Sequence, residues 1–136
     1  MKSIPTTVSF GPKTDEDHAR HDAANVEFAR QMREYREECQ KAIGEGEPAL
    51  IRLVEVAKRD TGQSLKVRSF LLGLYNSYDF PFELTSLRGL DKSLFDDCIK
   101  VLTLDARVTA QEIHLYIDDG DRLFSAWAKS AMRTKS

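Results

Sequence analysis

The side chains that could support catalysis in this chain of 136 residues do not assemble an active site by their spacing. Asp96, Asp97 and Cys98 are consecutive, and His114 follows further along. Neighbouring residues of a helix point in different directions, so Asp96 and Asp97 cannot act as a paired acid and base. No nucleophile with its base and orienting group can be assigned, and the GxSxG, HExxH, P-loop and GxGxxG motifs are missing. We expect that the protein is not an enzyme.

Two short stretches contain potential metal ligands. In DEDHARHDA, the side chains of His18, His21 and Asp22 would share one face of a helix, within reach of one divalent ion. No fourth ligand is apparent, and acidic residues also suit the first turn of a helix. DDGDR, residues 118–122, resembles part of a calcium loop but lacks the alternating ligands and the distal glutamate. We expect no metal site and no cofactor.

The composition is that of a single charge-rich domain. The formal net charge is −2, so the whole-chain balance does not favour nucleic acid. Cys39 and Cys98 form no CxxC motif and are interpreted as reduced thiols. No apolar run is long enough to span a membrane, and the first residues lack the apolar stretch of a signal peptide. We expect a cytoplasmic protein.

A long charged helix is predicted near the N-terminus. Residues 1–13 contain proline and glycine and are interpreted as a flexible arm. Helix signals begin at Thr14, a candidate N-cap, and Gly44 suits a C-terminal cap. The predicted organisation is therefore an arm, a helix over residues 14–44 and a helical core domain over residues 47–132.

One narrow apolar stripe follows this N-terminal helix. Its members are spaced four, three, four and three residues apart: Phe28, Met32, Tyr35, Cys39 and Ala42. The first four are the candidate partner-binding residues. A stripe this narrow on a highly charged helix is typical of a coiled-coil seam. Two interpretations stay open. Either the helix packs along its own domain, or the stripe binds a protein partner, including a second copy of the chain through residues 24–43.

The rest of the sequence predicts further helices and no strands. Pro48 suits the first turn of a second helix. A third begins near Ser64 and is apolar around most of its circumference, which places it centrally. Asp91 is predicted to cap a fourth, and Thr109 with Glu112 has the capping-box pattern that would open a short fifth. The predicted fold is all-α, with five to six helices forming a compact core beside the long charged helix.

The most aromatic stretch is YNSYDFPFEL, residues 75–84. Pro81 stops the third helix, because the residue before a proline is disfavoured in the α region. We expect Phe80 and Phe82 to fill the gap between the third and fourth helices, with tyrosine hydroxyls reaching solvent. The alternative is a patch that binds a partner.

The second and third predicted helices also resemble a helix-turn-helix in outline. Gly62 would lie in the turn, and residues 63–76 would form the recognition helix. Its candidate nucleic-acid contacts are Gln63, Lys66, Arg68, Ser69 and Asn76. Basic residues are few here, so phosphate contacts would be few and salt-sensitive.

Three stretches, FLLGLYNSYDFPFELTSLRGLD, LFDDCIKVLTLDAR and EIHLYIDDGDRLFSAWA, resemble a family of short, functionally uncharacterised bacterial proteins often encoded on plasmids, integrative elements and phages. The resemblance covers residues 50–128 and supplies no catalytic or binding residues. It implies a mobile-element accessory protein that docks on a host or element-encoded protein, including nuclease defence complexes. The leading hypothesis is a non-enzymatic helical adaptor or inhibitor. The alternative is a small helix-turn-helix regulator that binds DNA through residues 63–76.

Overall fold

The computed structural model describes residues 14–135, and over this range the fold is all-α, as predicted. Its α-helices are α1 (Asp15–Ala57), α2 (Gly62–Tyr75), α3 (Lys92–Thr103) and α4 (Gly120–Lys135). Shorter helical turns lie between them: 3₁₀ turns at Leu84–Gly89 and Ile113–Tyr116, and a π-helical turn at Leu104–Val108. No strand occurs within the described range. The arm predicted over residues 1–13 lies outside it.

α1 is a single helix of 43 residues with Pro48 in its interior, so the predicted break between residues 44 and 47 is wrong. The reason is packing. Gly46 is buried, and a Cβ added there would lie 2.7 Å from the Cβ of Leu104. This glycine therefore allows close contact with the π-helical turn and does not end a helix. Burial of the flanking residues Ala42 and Ala49 outweighs the poor helix propensity of glycine and proline.

The start of α1 confirms Thr14 as an N-cap. The Thr14 hydroxyl accepts a hydrogen bond from the Asp17 N–H at 3.1 Å, and the Asp17 carboxylate accepts one from the Thr14 N–H at 3.2 Å. This reciprocal pair satisfies two backbone donors. The capping box predicted at Thr109 and Glu112 is wrong. Thr109 has a left-handed backbone with φ 48° and donates its hydroxyl hydrogen to the Val108 carbonyl at 2.7 Å.

By their contacts, the described residues divide into a unit up to Glu37 and a unit from Glu38 onward. In the first unit nearly all side chains are exposed. Ion pairs run along its surface between residues three and four apart: Asp17–Arg20, Glu27–Arg30 and Arg30–Glu34. Pairs of this spacing favour the helical conformation, but their contribution is small because water and salt screen exposed charges.

The unit from Glu38 onward contains the hydrophobic core. Its largest fully buried side chains come from α1, α2, the turns and α4: Leu50, Leu53, Leu71, Leu104, Ile113 and Phe124. α2 contacts α4 and both 3₁₀ turns and buries Phe70, Leu71 and Leu72, which confirms its central position. Within the described residues, no helix combines the length and apolar content that crossing a membrane requires.

Candidate functional site

The four residues predicted to bind a partner lie along α1. Phe28 is 62% exposed, Tyr35 46% and Met32 38%, while Cys39 is half-buried. Single exposed apolar residues are common on protein surfaces. A regular row of large exposed apolar side chains on a helix is uncommon, because such a row is the face of a helix that normally packs against other elements. We call the face formed by Phe28, Met32, Tyr35 and Cys39 the α1 seam.

The spacing of the α1 seam continues into the core. Continuing from Cys39 in alternating steps of three and four gives Ala42, Gly46, Ala49 and Leu53, and all four are buried. One heptad pattern is therefore covered in its second half and exposed in its first half. Within the covered half, Gly46 lies against the Leu104 side chain and the Lys100 carbonyl, since a Cβ added at Gly46 would be 2.7 Å from the Leu104 Cβ and 3.2 Å from the Lys100 carbonyl oxygen. The exposed half carries larger apolar side chains in the same register, which suits contact with another helix.

The candidate catalytic residues are held in structural contacts. Arg52 donates to both carboxylate oxygens of Asp97, at 3.0 Å and 2.8 Å, and Lys92 pairs with Asp96 at 2.7 Å. Cys98 is fully buried, and that burial, with the nearby Asp97 carboxylate, raises the pKa of its thiol to about 12. A thiol with this pKa stays protonated at neutral pH and is not a nucleophile.

His114 packs among rings. Its imidazole lies edge-on to Tyr75, with centroids 5.0 Å apart, and near Phe124 at 6.3 Å. Its Nε2 is 3.9 Å from the Asp121 carboxylate, and its Nδ1 has no hydrogen-bond partner among the described residues. The structure therefore gives His114 a place in the core packing beside α4.

The potential metal ligands do not converge. His18, His21 and Asp22 are exposed on α1, and no group of three or more His, Cys, Asp or Glu in the described part of the chain could hold an ion. The DDGDR stretch forms the turn into α4. Asp119 there has a left-handed backbone with φ 59°, and its carboxylate lies 3.6 Å from Arg122.

The aromatic stretch is interior at Phe80, as predicted, and only partly so elsewhere. Phe80 is 8% exposed, and Phe82 is half-buried with its ring edge-on to Phe70 at 5.5 Å. Gly73 permits this approach, since a Cβ there would lie 3.1 Å from the Phe82 Cβ. Tyr78 is 93% exposed.

One detail of that prediction is wrong. Phe80 lines a cleft of about 340 Å³ together with Leu72 of α2 and Trp127 of α4, so it fills the space between α2 and α4 and not that between α2 and α3. The exposure of Tyr78 agrees with the prediction that tyrosine hydroxyls reach solvent, and the half-buried Tyr75 has its hydroxyl 3.5 Å from the Ser125 hydroxyl of α4.

Most of the predicted nucleic-acid contacts are used inside the molecule. Arg68 donates to the Ala57 and Arg59 carbonyls at 2.7–3.0 Å and lies over the Trp127 ring at 5.8 Å. It thereby satisfies carbonyl groups at the end of α1, which would otherwise lack partners.

The other members of that set show a similar pattern. Gln63 accepts a hydrogen bond from the Asp91 N–H at 2.8 Å, and Asn76 donates to Asp79 at 2.9 Å. Lys66 lies against Gly89: a Cβ added at Gly89 would be 2.0 Å from the Nζ atom of Lys66. Ser69 is exposed. The recognition-helix face is thus largely committed to holding α2 in place.

Sequence reasoning missed the roles of Arg52 and Arg68. Arg52 and Asp97 are 45 positions apart, and no local pattern marks such a pair. The sequence pattern around Arg68 does not distinguish two roles. A basic residue that follows a helix break can bind DNA phosphates or the carbonyl groups at the end of a helix.

A family model, described as a family of unknown function (DUF7673), matches residues 47–131. This chain belongs to the DUF7673 family. The family match covers the range in which the sequence resemblance was seen and confirms membership of an uncharacterised family. The DUF7673 region begins within the C-terminal part of α1 and ends within α4, and the α1 seam precedes it. No curated protein and no solved structure matches the chain.

Proposed function

We propose that this DUF7673 protein acts without catalysis, as an adaptor or inhibitor that binds an amphipathic helix of a protein partner through the α1 seam. The observation that carries the proposal is the exposure of Phe28, Met32 and Tyr35 in the register whose continuation is buried from Ala42 to Leu53. A helix in this register covers its stripe wherever a packing surface is present.

The size of the exposed side chains supports binding. Complete burial of a Phe or Met side chain is worth about 1.5–3 kcal/mol, and association opposes this with a loss of rigid-body freedom. Three such groups on adjacent turns form the central apolar cluster on which helix–helix interfaces depend.

A non-enzymatic role is supported by the fate of the reactive groups. Asp97 is bound by Arg52, and Cys98 is buried with a raised pKa. Neither is presented to a substrate.

The setting of this activity rests on the family resemblance alone. It suggests a bacterial mobile element, a cytoplasmic location and a host or defence complex as the target. DNA binding through residues 63–76 has less support, because Gln63, Arg68 and Asn76 make intramolecular hydrogen bonds.

The proposal is tested with the full chain and two matched variants. Phe28→Glu with Met32→Glu places charges on the α1 seam. Val26→Glu places a charge at an equally apolar position that is 69% exposed but outside the seam. We expect the double variant, and not Val26→Glu, to lose the partners that the unaltered protein retains. Unchanged circular dichroism melting in both variants would show that folding is intact. Retention of every partner by the double variant would overturn the proposal.

A further inference from the structure

The charged residues beside the α1 seam indicate which kind of helix can bind to it. In heptad notation, Met32 and Cys39 occupy a positions and Phe28 and Tyr35 occupy d positions. Asp22, Ala29 and Arg36 then fall at e, beside the seam. The ion pairs of Arg30 with Glu27 and Glu34 lie at c and f, on the far side. Among the described residues, Asp22 and Arg36 form no ion pair within 4.0 Å, which leaves both charges available beside the seam.

We propose that the α1 seam binds a second copy of this chain in antiparallel orientation, in the register that sets Phe28 against Met32 of the second copy. This inference rests on the proposed function and names its partner. In this register, the numbers of any two facing core residues have the same sum as those of Phe28 and Met32. Asn25 therefore faces Tyr35 of the other copy, and His21 faces Cys39. The apolar layers lie at the centre, and the polar layers lie towards the ends, where water can reach them.

Charge complementarity favours this register. In an antiparallel pair, e positions face e positions, and e and g charges set the orientation of paired helices. Here Asp22 of each copy faces Arg36 of the other, which gives two opposite-charge pairs. An antiparallel register shifted by one heptad sets Asp22 against Ala29 or Ile43 and loses both pairs. The remaining flanking contacts, Gln31 with Gln31 and Ala24 with Glu38, are not repulsive.

A parallel pair is the main competitor. It would stack Asn25 on Asn25, an arrangement that can fix the register of parallel coiled coils. It would also set Asp17 at g against Asp22 at e of the other copy, on both sides of the seam. Like charges in facing positions are destabilising. Asp17 keeps its ion pair with Arg20 of the same chain, but no opposite-charge contact between the two copies offsets the repulsion. The charges therefore favour the antiparallel pair.

Charge-swap variants of the full chain separate the two orientations. In the antiparallel pair, Asp22→Arg creates two like-charge contacts with Arg36, and we expect the dimer dissociation constant to rise about tenfold at low ionic strength. Arg36→Asp acts alike, and Asp22→Arg combined with Arg36→Asp restores the original constant. In a parallel pair, Asp22→Arg would strengthen association, because it removes the contact between Asp17 and Asp22. Sedimentation equilibrium measures each constant.

Cross-linking through Cys39 tests the register directly. In the proposed dimer the two Cys39 residues are about 27 Å apart along the axis, from 1.5 Å per residue, and His21 of one copy lies beside Cys39 of the other. A short bis-maleimide should therefore join residue 21 to residue 39 in the His21→Cys variant, and mass spectrometry identifies the linked peptides. Ala23→Cys, at the outward f position of the same turn, is the matched control and should give no such link.

The possible outcomes separate this inference from the proposed function. Links between two Cys39 residues, or tighter association of Asp22→Arg, would show a parallel pair and overturn the antiparallel register, while leaving the seam as a binding surface. A monomer at all concentrations would overturn self-association. Seam-dependent capture of another helical protein by that monomer would still support the proposed function. Loss of both self-association and seam-dependent capture would refute both.

Discussion

Arg52 of α1 holds the carboxylate of Asp97 on α3 with two hydrogen bonds, from Nε at 3.0 Å and from Nη2 at 2.8 Å. The Asp97 side chain is nearly buried, at 9% exposure, whereas the Arg52 side chain is half-exposed. Fork-to-fork pairs of this kind are geometrically specific. This pair joins α1 to α3 beside the buried Cys98.

Removal of Arg52 should destabilise the protein. Arg52→Ala leaves the Asp97 carboxylate buried without its partner, and we expect the free energy of unfolding to fall by about 1–3 kcal/mol. Urea denaturation measures the change. Lys92→Ala removes the exposed pair with Asp96 and should cost less than about 1 kcal/mol. Equal effects of the two substitutions would contradict the importance given to Asp97 burial.

Two glycines should respond to alanine with opposite signs. A Cβ at Gly44 would meet nothing within 4 Å, and Gly44 lies inside α1, so Gly44→Ala should stabilise by about 0.5–1 kcal/mol. At Gly120 a Cβ would lie 1.9 Å from the His114 carbonyl oxygen, so Gly120→Ala should destabilise by about 3 kcal/mol or more.

Thermal unfolding of the two glycine variants checks the continuity of α1. If the helix ended at Gly44 with a left-handed residue, alanine there would lower the melting temperature. A higher melting temperature is expected from the structure.

The aromatic stretch should show graded sensitivity. Phe80→Ala should cost about 3–5 kcal/mol, as for other buried aromatic residues. Phe82→Ala should cost less, because its ring is half-exposed, and Tyr78→Ala should change stability by less than about 0.5 kcal/mol. Chemical denaturation of the three variants measures this order. A larger loss for Tyr78→Ala than for Phe80→Ala would contradict the assignment of these rings to inside and outside.

The two cysteines should differ in reactivity and in their effect on stability. Cys39 should react with a thiol reagent in the native state, whereas Cys98 should react only on unfolding. Burial raises the pKa of Cys98 from 9.0 to about 12, so the folded state favours the protonated thiol. The contribution of the protonated Cys98 thiol to the free energy of unfolding is complete below pH 9 and is lost as the pH rises towards 12.

Comparison with Cys98→Ala isolates this contribution. Between pH 9 and pH 11, the unfolding free energy of the unaltered protein should fall more steeply than that of the variant. Parallel curves would show that the Cys98 thiol is not shielded as the structure indicates.

The sequence predicted those features that depend on local pattern and burial. Periodicity placed α2 at the centre, and the residue types at Thr14 identified an N-cap that the hydrogen bond with Asp17 confirms. Predictions of helix ends and caps from local sequence signals were wrong where contacts between distant parts of the chain determine the backbone. Gly44 indicated a helix end, but α1 continues through it, and the missing side chain of nearby Gly46 makes room for Leu104. Thr109 matched a capping box, yet its backbone is left-handed.

The candidate site was likewise predictable only in the features that depend on local sequence pattern. The α1 seam could be read from spacing alone, since a heptad pattern is local, but its exposure depends on what else packs on α1. The partners of Arg52 and Arg68 could not be predicted, because Asp97 and the α1 terminus reach them only through the packing of separate helices.

The single tryptophan of the chain is placed to act as an intrinsic optical reporter. Trp127 is buried, with its ring centroid 5.0 Å from that of Phe124 and the Arg68 guanidinium above it. Indole fluorescence shifts to longer wavelength when water reaches the ring, so the emission spectrum follows the docking of α4 onto α2. An unlabelled sample thus reports whether a variant at residues 21–39 has left the DUF7673 region folded.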